Sequence, residues 1–319
     1  MLTQHRRLKI KLLAVQLISI IPFLLFIFYL FDIWYDTRRS SVIEQNLNQA
    51  KMIASFLHSG FVYAQETAKV LTNDKHLQKL LGSDINTSRQ VIKNLVDQAS
   101  EIDNIAITDN FGTPIVSTTD LSDLQLKNIT FADREYFQQA LKSKKTAFSS
   151  PLVGKLTGNY ILTVAAPILS GNEVAYVVVL AIDINRLKEK IDQFLPEDKD
   201  KFIYILDSNR QIVWLNNQPL PVEKEKSLMA DLPSIKKAQT EKMVVIENQL
   251  LPFSNDKSMM GGAVSINNSG WVVASVEPVD HIFSPILKLQ SVVWLILISA
   301  MIFSVSILSY FLRKVKIAF

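Results

Sequence analysis

The sequence predicts an α+β fold in which two repeated α/β units follow a long N-terminal helix and two transmembrane helices flank them. Three observations support this prediction. Two uncharged apolar runs lie near the ends of the chain, at residues 12–31 and 291–312. A long helical pattern follows the first run, and short β-rich runs recur about 98 residues apart in the segment between the apolar runs.

Each apolar run is long enough to cross a bilayer, because a helix needs about 20 mainly apolar residues to span the hydrocarbon core. The first run contains Gln16 and Pro22, which a membrane helix tolerates when neighbours satisfy the freed backbone groups. A buried helix of a soluble protein is the alternative for both runs, and a cleaved signal peptide is the alternative for the first. Residues 32–35 argue against cleavage, because they are large or charged where small residues are required.

The orientation follows from basic residues beside the spans, because lysine and arginine are retained on the cytoplasmic side. These residues are Arg6, Arg7, Lys9 and Lys11 before the first run, and Arg313, Lys314 and Lys316 after the second. We therefore expect a two-pass protein of the bacterial inner membrane with both termini cytoplasmic and residues 33–290 outside. The pI near 9.0 owes much to these flanking residues, so no nucleic-acid partner is predicted.

A helical stripe of apolar and small residues begins soon after the first span. Its members recur at alternating spacings of four and three: Ile43, Leu47, Ala50, Ala54, Leu57, Phe61, Ala64, Ala68 and Leu71. Two interpretations remain open at this point. The stripe forms the seam of a parallel dimer stem, or the helix lies along its own domain.

The repeat rests on two pairs of matching segments. Residues 105–116 and 203–213 each read as strand, turn and strand, with Asp109 and Asp207 ending the first strand. Residues 175–178 and 270–273 each open an apolar strand after a turn. A chance likeness between β-hairpins is the alternative, but two pairs in the same order favour a tandem duplication.

The sequence contains no arrangement of residues that indicates catalysis, a metal or a cofactor. It has no cysteine, and its four histidines are scattered without metal-ligand spacing. The glycines form no phosphate-binding loop. We therefore predict that the protein is not an enzyme, with no catalytic residue, no metal site and no cofactor.

The most informative motif occupies residues 131–141, FADREYFQQAL. It is followed by Ser-Ser-Pro at 149–151, by an Ala-Ala-Pro-Ile strand ending at Ile168, and by a closing strand that ends in Asp183-Ile184. In this order the sequence resembles the double-Cache family of extracytoplasmic sensors, found in bacterial diguanylate cyclases, histidine kinases and chemoreceptors. The resemblance covers roughly residues 33–286 and implies two PAS-like units.

The resemblance implies a small-molecule pocket in the first, membrane-distal unit. Arg134 would meet a ligand carboxylate, Asp183 would accept from a ligand ammonium, and Tyr136 and Phe137 would form an aromatic wall, with Asp133 in the same motif. The alternative is that Arg134 and Asp183 pair with each other or with backbone, while the two aromatic residues fill the core.

The sequence departs from the amino-acid-binding members of the family at several positions. Ile129 stands where those members carry tyrosine, and Tyr136 stands where they carry tryptophan. Further tyrosine and aspartate ligands are missing near Leu152 and Gly154. The expected ligand is therefore an amino acid, another small amine or organic acid, or a polyol.

These observations divide the chain into a cytoplasmic N-terminus, a span, a stem helix, a distal unit, a proximal unit, a second span and a cytoplasmic stub. The respective ranges are 1–11, 12–31, 33–83, 87–194, 195–286, 291–312 and 313–319. We expect a homodimeric sensor that transmits ligand binding through the second span to a cytoplasmic or membrane partner. The alternatives are a ligand-free membrane-anchored scaffold and a tethered periplasmic enzyme.

The seven residues 313–319 are too few for a kinase or cyclase domain. Three explanations are open: a truncated chain, a degenerate gene, or a sensor that signals through a separate protein. Truncation ranks first among them.

Overall fold

The computed structural model describes most of the chain. The described residues are 2–99, 102–193, 195, 200–216, 227, 229–254, 256–266 and 269–317. Parts of the predicted cytoplasmic ends, residues 1 and 318–319, lie outside them, as does 217–226 of the proximal unit.

Helix α1 (Leu2–Asn73) runs without interruption from the first predicted span through most of the predicted stem. Its apolar stripe is buried against the same chain: Leu47, Ala50, Ala54, Leu57, Ala64, Ala68 and Leu71 belong to the buried residues. Most of them share one cluster with side chains of the two sheets described below. The stripe thus packs along its own domain, as the second of the two interpretations holds.

The predicted stem is not one helix as far as residue 83, because α1 ends at Asn73 and two shorter helices follow it. Helix α2 (Lys75–Leu81) begins after Asp74, whose carboxylate accepts hydrogen bonds from the backbone N–H groups of His76 and Leu77. Helix α3 (Ile85–Gln98) is capped in the same way by Asp84. Such caps satisfy N–H groups that a helix start otherwise leaves unpaired.

The first repeat contains an antiparallel sheet with two helices between its strands. Its elements are β1 (Ile102–Asp109), β2 (Pro114–Ser117), α4 (Asp123–Lys127), α5 (Glu135–Ser143), β3 (Ala147–Phe148), β4 (Leu152–Val153), β5 (Tyr160–Ser170) and β6 (Glu173–Asp183). The strand order is β2-β1-β6-β5-β3, and β4 also pairs with β5. The helix α6 (Ile184–Asp192) follows β6 directly.

The second repeat has the same order of strands. Its elements are β7 (Phe202–Leu206), β8 (Ile212–Leu215), α7 (Pro233–Glu241), β9 (Met243–Leu250), β10 (Ser258–Ser265) and β11 (Val272–Pro278). The strand order is β8-β7-β11-β10-β9, which matches the β2-β1-β6-β5-β3 order of the first sheet, where β4 is an additional strand. The helix α8 (Val279–Ile317) follows β11, as α6 follows β6. The α+β fold with two tandem units is therefore confirmed.

The turns after β1 and β7 repeat in atomic detail. The carboxylate of Asp109 accepts from the N–H groups of Phe111 and Thr113 at 3.0 and 2.8 Å. The carboxylate of Asp207, 98 residues later, accepts from residues 209 and 211 at 2.9 Å each. Residues 112 and 210 both take positive φ. The two aspartates thus end the strands for the same structural reason, since each carboxylate organises the turn that follows it.

The chain forms two compact units that do not coincide with the two repeats. One comprises residues 46–246 and 262–276, and holds the first repeat, most of the second and the C-terminal part of α1. The other comprises residues 1–45, 247–261 and 277–319, and holds both predicted spans.

Both predicted spans are helices with exposed apolar side chains, long and apolar enough to cross a membrane. On α1 the exposed set includes Ile18, Phe23, Phe26, Phe28 and Leu30, and on α8 it includes Leu295, Ile298, Ile302 and Phe303. Apolar surface of this extent indicates contact with lipid rather than water.

Beyond the predicted spans, α1 and α8 contact each other within the second of these compact units. The rings of Tyr35 and Phe283 stack with centroids 4.0 Å apart. Val42, Ile282, Phe283 and Ile286 form a small buried cluster with Met260 of β10. The start of α8 is therefore fixed to the stem by apolar packing.

Candidate functional site at Arg134

Arg134 stands immediately before α5, in a turn tied to the β1–β2 turn. Its N–H donates to the carbonyl of Phe131 at 2.9 Å, and the N–H of Phe131 donates to the carbonyl of Gly112 at 2.8 Å. Gly112 takes φ +88°, and a Cβ there would lie 2.6 Å from the nitrogen of Ala132. Glycine is therefore required where the two turns meet.

A cavity of about 600 Å³ opens beside Arg134. Three parts of the fold supply its walls: the stem helix, the first repeat and the second repeat. Its lining residues include Phe61 of α1, Arg134, Tyr136 and Phe148 of the first repeat, and Ser208 and Trp271 of the second. The volume lies within the range of about 300–1,000 Å³ that is usual for pockets of small organic ligands.

The guanidinium group of Arg134 is only partly satisfied by the protein. One terminal nitrogen donates to the carbonyl of Val153 at 3.0 Å. The Nε atom is buried and has no hydrogen-bond partner among the described residues. A buried donor without an acceptor costs about 1–3 kcal/mol, so the protein alone leaves this arginine incompletely satisfied.

The start of α5 adds to the positive potential at this end of the cavity. Arg134 occupies the cap position, and no side chain caps the helix there, in contrast to the aspartate caps of α2 and α3. The N-terminus of a helix carries a partial positive charge. An anion beside Arg134 would therefore meet the field of α5 together with the carboxylates of Asp133 and Glu135, which also line the cavity.

Tyr136 and Asp133 lie on the wall of the same cavity. Burial raises the pKa of Tyr136 well above its usual value, although the Arg134 charge and the nearby Thr163 hydroxyl act in the opposite direction. The pKa of Asp133 is lowered, chiefly by a hydrogen bond from Lys155, whose ammonium lies 2.5 Å away. The Asp133 side chain is 60% exposed and is already paired with this lysine.

Phe137 and Asp183 have other surroundings. Phe137 is fully buried in a cluster that includes Phe131, Tyr136 and Val179. Asp183 is buried and caps α6, accepting from the N–H of Asn185 at 2.8 Å and lying 3.6 Å from Nε of Arg186. Of the five predicted ligand residues, Asp133, Arg134 and Tyr136 line the cavity, whereas Phe137 and Asp183 do not.

The interior behind Tyr136 is nearly filled. A cavity of only about 10 Å³ remains there, between Tyr136, Thr163 and Leu156. The loop that carries Leu156 is held down at Asp103, whose carboxylate accepts from Thr157 at 2.8 Å and Asn159 at 2.7 Å. Space for a ligand therefore lies on the side of Arg134 that faces α1 and the second repeat.

Several residues that line the cavity were not predicted from the sequence. Phe61 belongs to the helical stripe, and its size among alanines at positions 54, 64 and 68 was the available signal. Trp271 was assigned only to a strand, and Ser208 and Asn209 only to a turn. Their approach to Arg134 depends on the packing of two repeats, which no local pattern encodes.

Two antiparallel sheets packed on a long helix, a cavity lined by a partly satisfied arginine, and apolar helices at both ends define a membrane-anchored sensor domain. The chain belongs to the Cache domain family, whose model matches residues 35–286. Domains of this family serve as sensors in histidine kinases and chemoreceptors, and the double-Cache resemblance in the sequence is thereby confirmed.

The chain is similar to sporulation kinase D of Bacillus subtilis (strain 168), with 24% identity over 226 residues. That match covers 69% of this chain and 41% of the kinase, so the chain spans well under half of its relative's length. The activity of the whole kinase is therefore not transferred to this chain.

Two solved structures share the fold. The extracellular domain of the putative histidine kinase rpHK1S-Z16 matches with a TM-score of 0.60 and 16% identity, covering 76% of this chain and 96% of that domain. The ligand-binding domain of the Campylobacter jejuni chemoreceptor Tlp3, solved with L-norvaline, matches with a TM-score of 0.56 and 14% identity, covering 77% and 94%.

Proposed function

We propose that this protein is the sensor of a bacterial transmembrane receptor that binds a small carboxylate or amine metabolite at Arg134. The observation that carries the proposal is the half-buried Arg134 on the wall of a cavity of about 600 Å³, with one terminal nitrogen bonded to the carbonyl of Val153. A carboxylate in the cavity would accept charge-assisted hydrogen bonds from this guanidinium group.

The other cavity groups suit a small polar metabolite. The planar guanidinium of Arg134 matches the geometry of a carboxylate, and Tyr136 provides an aromatic surface beside it. Glu135 is exposed on the cavity wall and would attract a ligand ammonium, because Asp133 is already paired with Lys155. An amino acid, as bound by Tlp3, is therefore one candidate class alongside simple organic acids.

Localisation and output belong to the same proposal. The basic residues flanking both spans favour cytoplasmic termini, which leaves the sensor outside the bacterial inner membrane. The signal would leave through α8, whose first turns pack on the stem at Phe283 and Ile286. A homodimer would present two such helices to a cytoplasmic or membrane partner, and a ligand shifts this system only by its unequal affinity for two arrangements.

A thermal-shift screen tests the binding step. The full chain in lipid nanodiscs would be scanned against amino acids, organic acids, amines and polyols, with Arg134→Leu as the comparison. A ligand at about 100 times its Kd adds about 2.7 kcal/mol to the free energy of unfolding, a readily measured rise in Tm.

We expect at least one carboxylate to stabilise the wild-type chain and to lose its effect in Arg134→Leu. The proposal fails if no compound stabilises the protein, or if a hit stabilises the variant equally. Turnover of a hit by the purified chain would instead favour an enzyme tethered to the membrane.

A further inference from the structure

The cavity beside Arg134 is not confined to one repeat. Trp271 and the turn residues Ser208 and Asn209 bring the second repeat onto its wall. Trp271 is only 5% exposed, and its ring meets that of Phe61 edge-on with centroids 5.1 Å apart. The side-chain amide of Asn209 lies 3.4 Å from the hydroxyl of Ser150 in the first repeat. Both repeats therefore meet at this cavity.

The cavity wall combines charged and aromatic groups. Arg134 at the uncapped start of α5 is suited to an anion, and the carboxylates of Asp133 and Glu135 lie on either side of it in the sequence. Phe61 contacts both Trp271 and Phe148, and Phe148 is 42% exposed although it is a large aromatic residue. Exposed aromatic surface on a cavity wall indicates a ligand with an apolar part.

The size of the cavity also exceeds the needs of a minimal acid. Its lining extends along α1 from His58 to Gln65, which is about 10 Å at the rise of an α-helix. A volume of 600 Å³ corresponds to about 20 water molecules at their liquid density. An elongated molecule of that order would contact Arg134 and the aromatic side chains together, whereas a two-carbon acid has no apolar body to place against them.

We propose that the ligand is an elongated amphipathic carboxylate that bridges the two repeats, with its acid group at Arg134 and its apolar body against Phe61, Phe148 and Trp271. This inference rests on the proposed function, since it uses the same arginine. It goes further by making the second repeat a determinant of specificity. Binding would then tie the first repeat to the strand β11 that continues into α8.

A series of straight-chain acids provides the probe. Binding of butyrate, hexanoate and 6-phenylhexanoate to the full chain in nanodiscs would be measured by calorimetry and ligand-observed NMR. Affinity should rise by about fourfold for each methylene that becomes buried. The alcohol 6-phenylhexan-1-ol, which lacks the acid group, corrects for partitioning into the lipid.

The duplication supplies a matched control. Ser208→Phe fills the cavity from the second repeat, whereas Asn110→Phe introduces the same side chain at the equivalent, exposed position of the first turn, outside the cavity lining. We expect Ser208→Phe to weaken 6-phenylhexanoate at least tenfold and butyrate less than twofold. Asn110→Phe should change neither. Trp271→Leu, which removes the aromatic wall, should reproduce the selective loss.

The outcomes separate this inference from the proposed function. If affinity does not rise with chain length, or if Ser208→Phe and Trp271→Leu both leave 6-phenylhexanoate unaffected, the bridging ligand is excluded while Arg134-dependent binding of butyrate still stands. If none of these acids binds, or if binding survives Arg134→Leu, the bridging inference falls as well. A Tm for each variant within about 3 °C of wild type establishes that the fold is retained.

Discussion

Arg134 and Leu232 hold the same position in the two repeats, 98 residues apart, each at the cap of the helix that follows. Asp133 and Asp231 precede them, and Phe137 and Ile235 follow as buried residues of that helix. The two repeats thus share a buried apolar residue at the packing position and differ at the cap, where only the first repeat carries a charged side chain.

The second repeat therefore suggests a substitution that the fold tolerates. Arg134→Leu places the residue of the second repeat into the first, and removes a buried Nε that has no partner among the described residues. It also removes the bond to the carbonyl of Val153. Because these effects oppose each other, we expect the free energy of unfolding to change by less than about 1 kcal/mol. Thermal unfolding without ligand measures it, and a loss above 3 kcal/mol would make Arg134 a structural residue.

Phe137 should behave in the opposite way. It is fully buried between Phe131, Tyr136 and Val179, and its ring does not line the cavity. Phe137→Ala should lower the free energy of unfolding by about 3–5 kcal/mol, because it leaves a void in a packed core. Phe111→Ala is the control, since Phe111 is 76% exposed and should have little effect. A stable Phe137→Ala protein with impaired binding would restore the aromatic-wall role predicted from the sequence.

Substitutions at Asp183 can distinguish a role in capping α6 from a role in ligand binding. Its carboxylate accepts from the first N–H groups of α6, so Asp183→Ala should cost about 0.5–2 kcal/mol. Asparagine caps helices about as well as aspartate, and Asp183→Asn should therefore keep the stability of the wild type. The affinity of this stable variant then tests the predicted ammonium contact. A fall in affinity supports it, and an unchanged affinity limits Asp183 to capping.

The fold was predictable because its signals are local. The turns at Asp109 and Asp207 share hydrogen bonds that depend on residues within four positions, so the sequence repeat reflects a structural one. The helical stripe likewise predicted one buried face of α1. Its partner was not predictable, since a dimer seam and a domain-facing stripe require the same spacing of apolar residues.

The site was predictable only in part. Arg134 and Tyr136 belong to one motif of eleven residues and were found with it. Trp271 lies 137 residues further along the chain and reaches the cavity only because the second repeat packs beside the first. Asp183 carries the same charge whether it caps a helix or binds a ligand, and its hydrogen bonds to α6 are visible only in three dimensions.

Two buried tyrosines predict that the folded state loses stability at alkaline pH. Burial raises the pKa of Tyr136 and Tyr204 above the value of about 10 that they have in the unfolded chain. Above pH 10 the unfolded state releases these protons while the folded state retains them. Stability should therefore fall with rising pH, by about 1.4 kcal/mol per pH unit for each tyrosine until its folded pKa is reached.

Tyr136→Phe removes one of the two contributions. Its slope of unfolding free energy against pH between pH 10 and 11.5 should be shallower than that of the wild type, as measured by thermal unfolding. Exposed Tyr63→Phe is the control and should leave the slope unchanged. Equal slopes for wild type and Tyr136→Phe would show that this phenol ionises as easily in the folded state as in the unfolded chain.

The approach of the stem helix to the second sheet can be tested by a pair of substitutions. A Cβ added at Gly262 of β10 would lie 2.2 Å from Cδ2 of Leu47 on α1, so the two elements meet where glycine leaves room. Gly262→Ala should cost about 1–3 kcal/mol through overpacking. Leu47→Ala alone should also destabilise, by loss of a buried side chain.

The double variant tests whether Leu47 contacts β10 at Gly262. If Gly262 and Leu47 touch, the added methyl group occupies space that Leu47→Ala vacates, and the double variant should be at least 1 kcal/mol more stable than the sum of the two losses predicts. Gly262→Ala combined with Leu57→Ala, a buried residue elsewhere in the stripe, should show simple additivity. Additive losses in both pairs would mean that the stem does not rest on β10 at Leu47, and that its stripe is free to serve as a dimer seam.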